Sequence, residues 1–250
     1  MSRGFYSDGI DASMDWSMAI GAGKIPTARR EAFSAISIDS PEGAYSLMSP
    51  SGTMTTSTAF PDDNGESLTI ETTDIADAGS LVRVVGLDEN FEIAEQDVVL
   101  TGLSTPIPGT WTRINSTLVL FKAIVGTLTV EGVNVYDEVR PEDQRSLVGR
   151  YSAPTNKYTQ LLGLTASMNK SSGPAGSFAT IRVLIRLTPG GPLIFAFSLG
   201  FQRNGTSTFQ LVEQIPLAFA STTDFVYEVL PTGADTDMSI TVPVVLQDKV

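Results

Sequence analysis

The 250-residue chain has no cysteine, no histidine and only two tryptophans. Without cysteine there is no disulfide framework, no thiolate nucleophile and no sulfur ligand for zinc. Without histidine there is no Ser-His-Asp triad and no imidazole acid–base chemistry. Positive charge is also scarce: 16 Lys and Arg stand against 28 Asp and Glu, a formal charge of −12. That balance argues against binding a nucleic-acid backbone, which needs a basic face. No stretch approaches the ~18 apolar residues of a membrane helix, and Pro189-Gly190-Gly191-Pro192 splits the most apolar region. A signal peptide needs an apolar run of about 7–15 residues, and Asp8, Asp11 and Asp15 interrupt any such run. The chain is therefore expected to be made and folded in a cytoplasm. The glycosylation-type triplets at Asn115, Asn169 and Asn204 then read as chance matches.

What the chain does have is unevenly spread. Residues 1–139 hold 20 acids and 7 bases, whereas residues 140–250 hold 8 acids and 9 bases. The break falls in a hydrophilic run, Asp137-Glu138-Val139-Arg140-Pro141-Glu142-Asp143, and a composition shift at such a run marks a domain boundary near Arg140. The first 55 residues have no sustained period and recurrent Gly, Pro and Ser, yet they carry Phe5, Tyr6, Trp16, Phe33 and Tyr45. That is too aromatic for a disordered tail. It reads as an extended arm that orders against its own sheet or another subunit, with one short helix possible over Thr27–Ser34.

From Gly65 onward the pattern is that of strands. Runs at Ser67–Thr72, Ser80–Leu87, Phe91–Leu100, Trp111–Leu120 and Gly126–Val133 precede the boundary. Runs at Tyr158–Met168, Phe178–Leu187, Leu193–Gly200, Thr208–Ile215, Phe225–Leu230 and Ser239–Leu246 follow it. Asn204-Gly205 is the strongest hairpin signal, and Gly173-Pro174-Ala175-Gly176 and Pro231-Thr232-Gly233 supply turns. Phe195, Phe197, Leu199 and Phe201 alternate and are expected to face one core. Short β-branched strands at this spacing indicate sandwiches. The fold expected is all-β: an extended arm over 1–55, then two antiparallel, jelly-roll-like β-sandwich domains over 56–139 and 140–250.

Few motifs carry chemistry. Gly21-Ala22-Gly23-Lys24 resembles a phosphate loop only superficially, because Met18 stands where a glycine is needed and Ile25 where Ser or Thr is needed. Asp62-Asp63-Asn64-Gly65-Glu66, Asp88-Glu89-Asn90 and Asp235-Thr236-Asp237 offer hard oxygen ligands but lack calcium-loop spacing, so acidic turns are the plainer reading. Paired carboxylates for glycoside hydrolysis would have to face each other across a cleft, which spacing cannot show, and no nucleophile–base pair stands out. Arg140, Arg145, Arg150, Lys157, Lys170, Arg182, Arg186 and Arg203 lie in the second half, with Arg182 and Arg186 on one face of a strand. They read either as solvated balance for a sheet surface or as an interface to the acidic half of a neighbouring copy. No catalytic, cofactor-binding or metal-ligating residue is assigned.

One pattern goes beyond composition. Val84–Gly102, with Gly86-Leu87-Asp88-Glu89-Asn90-Phe91, followed by Trp111-Thr112-Arg113-Ile114-Asn115, resembles a recurring pattern in structural proteins of tailed bacteriophages, often marine. The blocks Tyr158–Met168, Ala179–Arg186, Ile215-Pro216-Leu217 and Thr222-Thr223-Asp224-Phe225-Val226-Tyr227 are similar too, so the resemblance spans about residues 65–250. It departs at Ala153-Pro154-Thr155-Asn156-Lys157-Tyr158 and in the two prolines between Gly102 and Trp111. The resemblance implies a non-enzymatic virion component assembled in the host cytoplasm, without cofactors. A capsid decoration or cement protein is expected, a homo-oligomer (a trimer favoured) on the major capsid protein, with no nucleic-acid or membrane partner. A tail fibre or receptor-binding accessory is the alternative, and a carboxylate-dependent depolymerase a third.

Overall fold

A computed structural model describes residues 28–38, 43–50, 54, 59–170, 178–202, 207–232 and 236–249. Sixteen strands follow in chain order: β1 (Ala28–Ser37), β2 (Ser46–Leu47), β3 (Thr69–Thr72), β4 (Leu81–Asp88), β5 (Ile93–Val99), β6 (Ser104–Pro106), β7 (Trp111–Phe121) and β8 (Leu128–Glu131). Then come β9 (Val135–Val139), β10 (Arg150–Ser152), β11 (Lys157–Lys170), β12 (Phe178–Arg186), β13 (Ile194–Gln202), β14 (Ser207–Phe219), β15 (Asp224–Pro231) and β16 (Thr236–Asp248). Among the described residues there is no α-helix, only a single 3-10 turn at Ile75–Asp77. The protein is all-β, and its strands pair antiparallel in four sheets.

Among the described residues the two largest hydrophobic clusters are each filled from two sheets. The first lies between the sheet β6-β3-β8-β9 and the sheet β5-β4-β7. Alternation places Ile70, Leu128 and Val130 on one side and Val82, Val84 and Val98 on the other, with Trp111 and Ile114 among them. The second core lies between β1-β16-β11-β14 and β10-β15-β12-β13, with β2 added to β15. Here Met238, Ile240, Val242 and Val244 of β16 meet Ile181 and Val183 of β12 and Phe225, Tyr227 and Val229 of β15. In this second pair the chain changes sheet at almost every connection; only β12 and β13 are successive neighbours in one sheet.

Three local expectations are corrected. Residues Ala28–Ser34 are not helical but belong to β1, which pairs with β16 from Ala28↔Gln247 to Ser37↔Met238. The period is two, not 3.6. Phe33 and Ala35 point inward, and Phe33 stacks on Tyr151 at 5.4 Å and lies 5.2 Å from the Tyr227 ring in the facing sheet. So this part of the arm orders against the protein's own sheet. The strands either side of Asn204-Gly205 do not form a hairpin: β13 pairs with β12 and β14 with β11, in different sheets. The pair itself lies outside the described residues, as do Gly173–Gly176 and Gly233. Finally, Phe195 is 62% exposed, while Phe197 and Leu199 pack on the second core. The cause is a bulge: Val183 pairs with Phe197 but Leu184 pairs with Phe195, so Ala196 is extra and parity flips. Phe201 lies among residues whose side chains are not described.

Candidate functional site: a charged joint between the two cores

Several residues between Gly86 and Asn115 lie where the two sheet pairs meet. A Cβ on Gly86 would stand 2.1 Å from the Arg113 carbonyl oxygen and 3.1 Å from the Trp111 ring. Only glycine therefore lets β4 and β7 approach at this irregular point of the ladder. Asp88 shapes the next turn by accepting from the backbone N–H of Asn90 (2.8 Å) and of Glu92 (3.0 Å). That turn holds Phe91 at φ 57°. The Phe91 carbonyl then accepts from the N–H (2.8 Å) and the hydroxyl (3.0 Å) of Thr155 in the second half. Asn115 spans the same gap twice: its amide donates to the Ser152 carbonyl at 3.0 Å, and its Oδ1 accepts from the Ser152 N–H at 2.8 Å.

Arg113 is the centre of the joint. Its side chain is fully buried. Nε donates to Asp224 Oδ1 at 2.8 Å, one Nη to Asp63 Oδ1 at 2.6 Å, and the other to the Thr112 carbonyl. Asp224, also buried, receives Arg186 on its second oxygen at 2.7 Å and the Ser152 hydroxyl on its first. The Phe60 ring is the common apolar surface. The guanidinium carbons of Arg186, Arg113 and Arg150 lie 4.3, 5.1 and 5.3 Å from its centroid, and Phe91 covers Arg113 at 5.1 Å. Three cations thus share one aromatic residue, with Asp63 and Asp224 as counter-charges.

A second buried acid lies nearby. Asp137 of β9 accepts from the hydroxyls of Thr117 (2.6 Å) and Ser146 (2.5 Å) and from the Glu138 N–H (2.9 Å). Burial nevertheless dominates and pushes its carboxyl up to about 6, against those hydrogen bonds and the Arg150 charge. Burial likewise pulls Arg150 down to about 10, opposed by Asp137 and Asp224. Beside the joint a cleft of about 390 Å³ separates β1 from the outer face of β4, β5 and β7. Arg29, Phe33 and Ser34 line one wall, and Val85, Ile93, Glu95, Ser116 and Leu118 line the other. The joint's charged groups point at one another, not into this cleft, and their hydrogen bonds link residues of the two sheet pairs.

The candidate residues of the sequence fall into separate structural tasks. In the first acidic cluster, Asp62 Oδ1 accepts from the Asn64 N–H, Asp63 holds Arg113, and Glu66 accepts from the Tyr136 hydroxyl at 2.7 Å. Asp88 closes its own turn. Among the described residues no group of three or more acids could hold a metal ion. Arg140 pairs with Glu142 and Asp143, and Lys157 with Asp248. Arg182 and Arg186 do share a face, yet they are neither free nor merely solvated. They sit opposite Glu228 and Asp224 in the β12–β15 ladder and pair with them, and Tyr45 covers Arg182 at 3.8 Å. Arg145 lines the cleft, and Lys170 stands at the end of β11 opposite Thr236. Gly21–Lys24, Arg203 and Asp235 lie outside the described residues. Sequence reasoning missed Phe60 and the linkage of Arg113 to Asp224. The only signal for the pair was that both residues occur in the phage-like pattern.

No family model and no curated protein matches the chain. Solved structures similar to the chain include several from infectious bursal disease virus. The Gt strain gives 8% identity over 90% of this chain and 77% of that one, with a TM-score of 0.24. The Gx strain gives 10% identity over 89% and 75%, with a TM-score of 0.23. A subviral particle of that virus gives 8% over 90% and 77%, with a TM-score of 0.19. Among the described residues no helix is long and apolar enough to cross a membrane.

Proposed function

We propose that this chain is a structural component of a bacteriophage virion, bound as a homo-oligomer, a trimer favoured, to the major capsid protein as a decoration or cement protein. The observation that carries this reading is the strand order of the second sheet pair. With β1 as first strand and β10 to β16 as the other seven, the orders β1-β16-β11-β14 and β10-β15-β12-β13 follow the eight-stranded, two-Greek-key plan of a jelly roll. Jelly rolls serve in viral capsids, lectins and cupins. A cupin-type metal centre needs imidazoles, which the chain lacks. On this reading the sheet pair of β3 to β9 is a second sandwich set between the first two strands of the jelly roll. The step from fold to role is an analogy, and the resemblance of residues 65–250 to structural proteins of tailed bacteriophages supports it.

Such a part needs no catalytic group and no cofactor, and its work is to present surfaces. Within the arm expected over residues 1–55, β1 and β2 belong to the second sheet pair. Quantifying the chain in purified virions, together with imaging the particle, tests the proposal. Copy number that scales with the capsid subunits is expected. Copy number matching the tail would replace it with the receptor-binding reading, which a lectin-like jelly roll also fits. Absence from purified virions would overturn both.

A further inference from the structure

The outer face of the sheet β5-β4-β7 is unusually apolar at one end. Across its three strands the ladder aligns Val99, Leu81 and Phe121 in one row, Asp97, Arg83 and Leu118 in the next, and Glu95, Val85 and Ser116 in the third. Phe121 is 70% exposed and Val99 54%, with Leu118 and Leu120 exposed beside them. The third row and Leu118 also line the cleft whose opposite wall is β1. The face is therefore one continuous surface, enclosed at the joint and open at the far end.

We infer that this face is covered by the chain's own N-terminal segment, residues 1–27. Three observations select that occupant. The segment joins β1 at Ala28, one residue before Arg29, which lines the same cleft, so the chain enters beside the surface. The far row lies four residues along the strands from the cleft row, about 13 Å, whereas 27 extended residues can reach ~90 Å. The chemistry is complementary as well. The segment brings Phe5, Tyr6 and Trp16 with Met14, Met18 and Ile20 to an apolar face. This inference does not depend on a virion role.

The absence of cysteine makes the test clean. Val99→Cys places one thiol on the exposed end of the face, and Val133→Cys, at a position 86% exposed, serves as the control. Thiol-labelling rates are compared between the full chain and a full-length variant carrying Phe5→Ser, Tyr6→Ser and Trp16→Ser, with circular dichroism confirming that both fold. In the Val99→Cys background, labelling is expected to be about tenfold slower in the aromatic-bearing chain and unchanged on dilution. In the Val133→Cys background the two rates should be equal. Equal rates in the Val99→Cys background would overturn the inference. So would protection that disappears on dilution, which would assign the face to a second copy of the chain.

Discussion

Replacing Arg113 with methionine should loosen the connection between the two cores before it unfolds either. The substitution removes three hydrogen bonds and two ring contacts from a fully buried position while keeping most of the side-chain volume. Breaking a buried ion pair by deleting one partner costs about 3–5 kcal/mol when the other charge is stranded. Asp224 is not wholly stranded, because Arg186 and the Ser152 hydroxyl still reach it. Asp63 retains some exposure and can rehydrate. The expected loss is therefore nearer ~2–3 kcal/mol. A cycle with Asp224→Asn should show a coupling of roughly 1–3 kcal/mol, whereas Asp63→Asn alone should cost less than about 1 kcal/mol. The assay is urea unfolding followed by two probes. Trp111 fluorescence reports the first core, with Trp16 replaced by Phe, and far-ultraviolet circular dichroism reports all strands. In the parent chain the two transitions should coincide; in the Arg113→Met variant they should separate, since the joint no longer makes the halves cooperative. A loss below about 0.5 kcal/mol with coincident transitions would refute the assignment of Arg113 as the coupling residue.

Three further outcomes follow from the geometry. Gly86→Ala forces a methyl group into the Arg113 carbonyl and should cost about 3 kcal/mol or more, seen as loss of soluble protein or of the cooperative transition. Gly102→Ala meets nothing within 4 Å and should change stability by less than ~0.5 kcal/mol. Asp137 has its folded-state pKa raised to about 6 from an ordinary 3.8, so the folded state binds the extra proton between those values. Stability from this group must fall as pH rises from about 4 to about 6.5, by up to ~3 kcal/mol. Asp137→Asn should flatten that part of the stability–pH curve, and an unchanged slope in urea titrations at pH 4.5 and 7 would contradict the assignment. At the β13 bulge, Phe195→Ser should be within ~0.5 kcal/mol of neutral, and Phe197→Ser should cost roughly 1–2 kcal/mol; the reverse order would mean that the register is wrong.

These perturbations also mark where the sequence is readable. Strands β11 to β16 are legible within a few residues of their ends because each is eight residues or longer and carries β-branched, aromatic or other apolar residues at strand-like spacing. β1 is not, since Ala-Arg-Arg-Glu-Ala favours a helix locally, and what decides otherwise is β16, some two hundred residues away, whose ladder Phe33 and Ala35 complete. β9 is hidden for a different reason. Asp137 and Glu138 look like the start of a solvated boundary, yet both are buried, 2% and 1% exposed. Hydrophilic composition at a domain edge and a buried polar joint are indistinguishable until the partners Thr117, Ser146 and Arg150 are in place. The Asn-Gly pair shows the limit of turn chemistry: it favours a reversal, but the flanking strands complete opposite sheets.

The joint is least legible, and the reason is physical. Arg113 and Asp224 lie 111 residues apart, on strands whose own apolar alternation gives no hint that one polar position will meet another. A local pattern fixes which face a residue occupies, but the pairing of two buried charges is set by how two completed sheet pairs dock. Desolvating such charges is costly and stabilises little compared with apolar packing, so burial alone does not account for them. Their geometry does: three guanidiniums on Phe60 and a carboxylate reached from both halves admit very few relative orientations. On this argument Arg113→Met should alter the relative placement of the two halves more than it alters either half, which small-angle X-ray scattering under native conditions would detect as a broader distance distribution.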